Sequence, residues 1–212
     1  ANCQSAAFIL CAFINCSSKT NGGAIFINKD LLLSVNQSHF QGCYSKKYGG
    51  GIYSNSGGNS ISNLCFVECS AADATADSGH AVYLLCKKRE QVTFISKGTF
   101  VLCPKTVVGR DSIAFVGTCT ERMIDSNFSL DTVKVNEIFQ AMSQNNLPFS
   151  SCQFCNCTCG IAITFKFAVE IDSCLFINNE KKACTFGIIE TKTKSVIRNS
   201  LFFRNKQPRF KE

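Results

Sequence analysis

"FINCSSKTNGGAIFI", residues 13–27, sets an aromatic residue three positions before a cysteine, then a polar hinge, a glycine pair and an apolar strand. The arrangement recurs. An inward Phe followed three residues later by Cys, Asn or Asp occurs as Phe13/Cys16, Phe40/Cys43, Phe66/Cys69, Phe100/Cys103, Phe128/Asp131, Phe154/Cys157, Phe176/Asn179 and Phe202/Asn205. Successive Phe positions lie 27, 26, 34, 28, 26, 22 and 26 residues apart. A period of this size decides the architecture before any local reading does.

Each period carries two further apolar stretches. One reads "GGAIFI" (22–27), "GGGIYS" (49–54), "GHAVYL" (79–84), "SIAFVG" (112–117), "GIAITF" (160–165) and "TFGIIE" (185–190). The other precedes the next Phe, as in "LLLSV", "SISNL", "QVTFIS" and "FAVEI". These runs of four to six residues, rich in Ile, Val and Phe and separated by Gly, Asn, Ser and Lys, have strand character. Helical repeats would show apolar residues at i, i+3, i+4 and i+7 over a dozen positions. Only "DTVKVNEIFQAMSQNN" (131–146) has helix-forming character, and it is read as a degenerate or decorated coil.

Three short strands per period predict an all-β chain: a right-handed, single-stranded parallel β-helix of about eight coils. Coils stack about 4.8 Å apart, so equivalent residues form axial ladders, and stacking creates the core that no coil can bury alone. Phe fills one side of that core. Two residues before it stands a small or polar side chain (Cys11, Ser38, Gly98, Ser126, Cys152, Cys174, Ser200), which alternation also turns inward; Leu64 departs from this rule. Gly supplies positive φ at the turn after the first strand. Asn bonds along the axis when stacked, whereas Cys, which replaces it in five coils, fills space but cannot form an amide ladder.

The 212 residues suit a single domain, read as one β-helix segment over 1–212, and the pattern running into both ends predicts a portion of a longer protein. Charged residues are only 17%, which excludes a disordered tail. No apolar run approaches the roughly 18 residues of a membrane span, and "ANCQSAAF" does not read as a secretory leader. The net charge of +7 comes mainly from residues 180–212, with local patches at Lys46–Lys47, at 181–182 and at 87–89. Lysines on turns discourage edge-to-edge aggregation; the alternative is contact with anionic glycans or membranes. No nucleic-acid partner is expected, because no exposed aromatics are foreseen among the basic residues.

Fifteen cysteines make an odd number, so at least one is free or pairs with another chain. Parallel stacked Cβ vectors stay roughly 4.8 Å apart, beyond the 3.5–4.5 Å of a disulfide, which favours buried thiols over axial bridges. Staples through Cys86 or Cys119 stay open. "CQFCNCTC" (152–159) resembles a metal site, but the strand turns Cys152 and Cys157 inward and Cys155 outward, so no metal or other cofactor is expected. Catalytic carboxylates would have to converge. Asp125 and Asp172 come nearest, one residue out of register and with two coils expected between their own, while His39 and His80 read as surface or turn residues. No catalytic residue is assigned. Sequons at Asn15, Asn36, Asn127 and Asn156 are glycosylation sites if the chain is secreted.

"FINC…GGAIFI", "FQGC…GGGIY", "FINN" and "FFRN" resemble the paired GGA[ILV] and FxxN repeats of chlamydial polymorphic outer membrane proteins, and similar Cys-rich repeats of trichomonad surface proteins. Gly22, Gly23, Ala24 and Ile25 match one motif; Phe176 with Asn179, and Phe202 with Asn205, match the other. The resemblance implies a pectin-lyase-like β-helix at a cell surface or outside the cell. Its expected role is non-enzymatic adhesion, with a host or surface protein or a glycan, and the flanking coils of a parent chain, as partners. A polysaccharide lyase or glycoside hydrolase on the same fold is the alternative, and an intracellular structural solenoid a third reading.

Overall fold

The computed structural model describes residues 4–72, 79–86, 92–103, 112–117, 120–129, 137–141, 147–159, 161–165, 168–181, 189–191 and 195–206. Among these residues there is no helix, and strands pair in parallel with strands about one sequence period away. The chain is a parallel β-solenoid. A thirteen-stranded sheet forms its longest wall, a seven-stranded sheet a second, and short two- and three-stranded ladders lie between them. The helix-prone stretch resolves against local propensity. Glu137–Ala141 is a strand of the second sheet, held between Ile113–Gly117 and Ile161–Phe165, whose ladders outweigh intrinsic preference. The rest of 131–146, Asp131 included, lies outside the described residues, as do 73–78 of the long insertion.

The core is built in columns. Phe13, Phe40, Phe66, Phe100, Phe128, Phe154, Phe176 and Phe202 stack with centroids 4.5–5.3 Å apart and planes within 15°. That spacing is the strand repeat, so the rings take an offset-parallel contact at each rung. A second column, Val35, Ile61, Ile95, Met123, Phe149 and Ile171, runs beside it in register and is also buried. Beyond the second wall's Ile25, Ile52, Val82 and Ile113 nothing larger is needed to close the interior.

Two ladders of left-handed residues bend each coil. Three residues before each Phe stand Leu10, Gln37, Asn63, Lys97, Asp125, Ser151, Ser173 and Asn199, all with φ between +48° and +54°. Two residues after it stand Asn15, Gly42, Glu68, Leu102, Asn156, Asn178 and Arg204, with φ between +51° and +60°. A non-glycine residue gives up about 1–2 kcal/mol in this conformation. None of these residues is β-branched, and ladder bonds hold the bend, as where Asp125 N–H donates to Ser150 O (3.1 Å) and Ser151 N–H to Asp172 O (3.0 Å). In the glycine turn the conformation falls on Gly22, Gly49 and Gly79, with φ of 63°, 64° and 51°. There a side chain at Gly22 would strike the carbonyl of Ile25.

Candidate functional site on the lateral surface

The residue after each left-handed position turns inward, and except at Leu64 and Gly98 it is a small polar or thiol side chain that serves the bend. At the first corner Ser38 Oγ donates to Asn36 O (2.9 Å) and accepts the Cys11 N–H (3.1 Å). Ser126 Oγ donates to Ile124 O (3.0 Å) and accepts the Gly98 N–H (3.2 Å). Cys11, Cys152 and Cys174 donate to the equivalent carbonyls of Ile9, Ser150 and Asp172 at 3.3–3.4 Å. At the second corner Cys43, Cys69 and Cys157 donate to Gln41 O, Val67 O and Cys155 O, and reach across to Phe13 O, Phe40 O and Phe128 O, at 3.4–3.7 Å. Asn179 and Asn205 do more. Their amides donate to Phe154 O (2.9 Å) and Phe176 O (2.7 Å), and their Oδ1 atoms accept the N–H groups of Cys157 (3.0 Å) and Asn179 (2.9 Å).

The cysteine richness thus has a mechanical origin: Ser, Cys and Asn are interchangeable small donors at a bend. Cys11, Cys16, Cys43, Cys65, Cys69, Cys152, Cys155 and Cys174 are free thiols. Cys152 and Cys157 are buried and Cys155 is partly exposed, as alternation requires. Cys119, and the side chain of Cys86, lie outside the described residues. Replacing Cys152 by Ser should leave urea stability within about 0.5 kcal/mol, whereas Cys152→Val removes one of the two donors to the Ser150 carbonyl, leaving it the Asp125 N–H, and should cost roughly 0.5–1.5 kcal/mol. Equal losses in the two variants would show that volume alone matters.

Stacked thiols shift one another's pKa in opposite directions, as where the Cys152–Cys174 hydrogen bond raises Cys152 and lowers Cys174. The thiol of Cys103 beside it and burial hold the Cys69 thiol well above the ordinary value. Burial and then Cys174 do the same for Cys152. For Cys43 the neighbouring Cys69 thiol and then burial push in the same direction. The folded state therefore keeps protons that the unfolded chain releases above its own thiol pKa. The stability contributed by Cys69 is fully present below about pH 8 and is lost as the pH rises above the unfolded thiol's pKa, while the lowered Cys174 offsets part of the contribution of Cys152. Urea midpoints measured from pH 7 to 10 should be flat and then fall; a flat profile throughout would refute the assignment.

Asp125 and Asp172 do not converge. Asp125 is exposed at its corner, Asp172 accepts Asn199 Nδ2 (2.9 Å), and one rung, rather than the expected two, lies between their coils. Among the described residues no three His, Cys, Asp or Glu side chains are grouped to hold a metal. His80 stands, as expected, at the turn position of Gly23 and Gly50, and it is fully buried there, its Nδ1 accepting the Ala71 N–H (2.9 Å) and so satisfying an interior backbone donor. His39 is half-buried, with its Nε2 3.4 Å from Gln41 Oε1.

Of the sequons, Asn15 and Asn156 occupy the same exposed left-handed corner. Asn36 is half-buried and engaged by Ser62 Oγ and Asn63 Nδ2, while Asn127 Oδ1 is enclosed.

The second wall carries an outward aromatic row that alternation encodes as Ile25–Phe26, Ile52–Tyr53 and Val82–Tyr83. Phe26, Tyr53 and Tyr83 stack at 5.4 and 5.5 Å, and Tyr48 from the preceding turn lies against Tyr83 (4.9 Å) and Tyr53 (6.4 Å). Burial and the neighbouring Tyr48 raise the Tyr53 phenol. Phe26 is 50% exposed. The turn holding Tyr48 also carries Lys46 and Lys47, and it hydrogen-bonds to the rung below around Lys19, through Ser18 O and Thr20 O. All three lysines are exposed and, among the described residues, none is paired with a carboxylate. The rings nearest the lysines are not open: Tyr48 and Tyr83 are half-buried and Tyr53 is buried. The sequence signal for the row was the repeated aromatic one position after the inward Ile or Val.

No protein-family profile matches the chain, and comparisons with curated proteins and with solved structures likewise return no match.

Proposed function

We propose that this chain is a non-enzymatic binding module of a cell-surface or secreted protein. In this reading it is a right-handed β-helix of about eight coils, each with three short strands, of the polymorphic outer membrane protein type. The eight-ring Phe column and the three sets of ladders support the coil count. The observation that carries the function is the separation of roles on each rung. Interior positions are taken up with Phe, Ile and corner donors, while the lateral walls present stacked side chains such as Phe26, Tyr53 and Tyr83. Such a surface suits a partner protein or glycan laid along the axis. The absence of a long apolar helix among the described residues means that no helical membrane span is present there.

Incubation with acidic and neutral polysaccharides, with and without Ca²⁺, should release no reducing ends or unsaturated products. Turnover would replace this reading by the lyase or hydrolase one.

A further inference from the structure

The lysines of one turn cluster sit on adjacent rungs without counter-charges among the described residues. Backbone bonds of 3.1 Å (Lys46 N–H to Ser18 O) and 2.9 Å (Lys47 N–H to Thr20 O) fix the turn of Lys46 and Lys47 on that of Lys19. Exposed like charges on adjacent rungs favour an anion beside them. Next to them stands the aromatic row, which holds three of the chain's four tyrosines. Within the row the rings cover one another's faces, so it offers edges and phenol groups rather than open planes. Single-stranded nucleic acid binds by inserting bases onto open aromatic faces, which this row lacks between its members. A hydroxyl-rich chain instead accepts ring edges against its C–H surface and phenols against its hydroxyls, while lysines take its acidic groups. Row and lysines both advance along the solenoid axis, as a linear polymer does.

We propose that the surface formed by Phe26, Tyr48 and Tyr83 with Lys46 and Lys47, lying over the buried Tyr53, binds an anionic polysaccharide. This rests on the binding-module reading and names its ligand class. Tyr48 is the hinge of the site, because it joins the charged turn to the row.

The test is retention and affinity on immobilised heparin and polygalacturonate, with neutral dextran and a single-stranded oligothymidylate as comparators. The wild-type chain should bind the two acidic polysaccharides and not dextran. The double variant Lys46→Glu/Lys47→Glu should weaken binding about tenfold or more, and Tyr48→Ala should weaken it severalfold with an unchanged far-ultraviolet spectrum. A control double, Lys97→Glu/Arg204→Glu, removes the same charge elsewhere and should change affinity little. Equal losses in the two doubles would reduce the effect to net charge and overturn the proposal. Oligothymidylate bound more tightly than heparin in a Tyr48-dependent way would overturn it in favour of nucleic acid, and no retention at all would also overturn it. Product analysis of the same incubations keeps the two ideas apart: cleavage defeats the binding-module reading, whereas absent retention defeats only this surface.

Discussion

Phe100→Ala should lower unfolding free energy by roughly 3–5 kcal/mol in urea titrations followed by circular dichroism. The ring lies fully buried between Phe66 (5.1 Å) and Phe128 (4.9 Å), and it also covers Gly98, where a Cβ would lie 2.7 Å from its Cε2. Removing it leaves a ring-sized void flanked by two rings whose own backbones are pinned by ladder bonds and cannot close in. Phe202→Ala supplies the contrast, since that ring is 44% exposed and has one stacking neighbour among the described residues, Phe176. It should cost roughly 1 kcal/mol. In a solenoid, interface terms between neighbouring rungs set stability, so a central loss removes two such terms. Equal costs at 100 and 202 would mean that the column is not the core's organising element.

Gly50→Ala is expected to be nearly as damaging, for a different reason. The φ at Gly50 is not in the left-handed region, so the backbone conformation itself accepts alanine. The added Cβ, however, would overlap the carbonyl oxygens of Ser70 and His80 and come within 2.6 Å of the Ser70 carbonyl carbon. Backbone atoms of the next coil cannot rotate aside as a side chain can. Relief requires the coils to separate, which breaks neighbouring ladder bonds such as Gly23 N–H to Gly49 O (3.1 Å) and Gly51 N–H to Ala81 O (3.0 Å). A cost of roughly 3 kcal/mol, at the upper end for overpacking, should show as a lowered urea midpoint. A midpoint within experimental error of wild type would mean that this corner is looser than its hydrogen bonds imply.

The Phe column was legible in the sequence because its spacing repeats and because only one geometry brings such positions together. The glycine turns were legible for the same reason at 22, 49 and 79, where positive φ falls on the first glycine of each motif. The use of the thiols was half legible. Their small size and inward placement could be read, but not that Cys152 or Cys43 donates to a carbonyl two residues back, since that depends on a bend whose left-handed residue is as varied as Leu10, Lys97 or Asp125. A pattern pairing any non-β-branched residue with a following Ser, Cys or Asn at both flanks of Phe would have found it. The outward row was missed because Phe26 and Tyr53 sit in motifs read for their inward partners, so alternation was applied to one face only. The turn position of His80 was legible but its burial was not, because a buried turn histidine needs a specific donor, and Ala71 N–H comes from a segment nine residues earlier.

The bends carry a final implication. Fold specification there falls on the small inward donor, while the residue before it contributes little more than a tolerated backbone angle. Leucine, glutamine, lysine, aspartate, serine and asparagine all serve at one corner. Two ridges along the molecule can therefore be re-lettered almost freely, so a lineage under pressure to alter its outward appearance could do so there while its scaffold stayed the same.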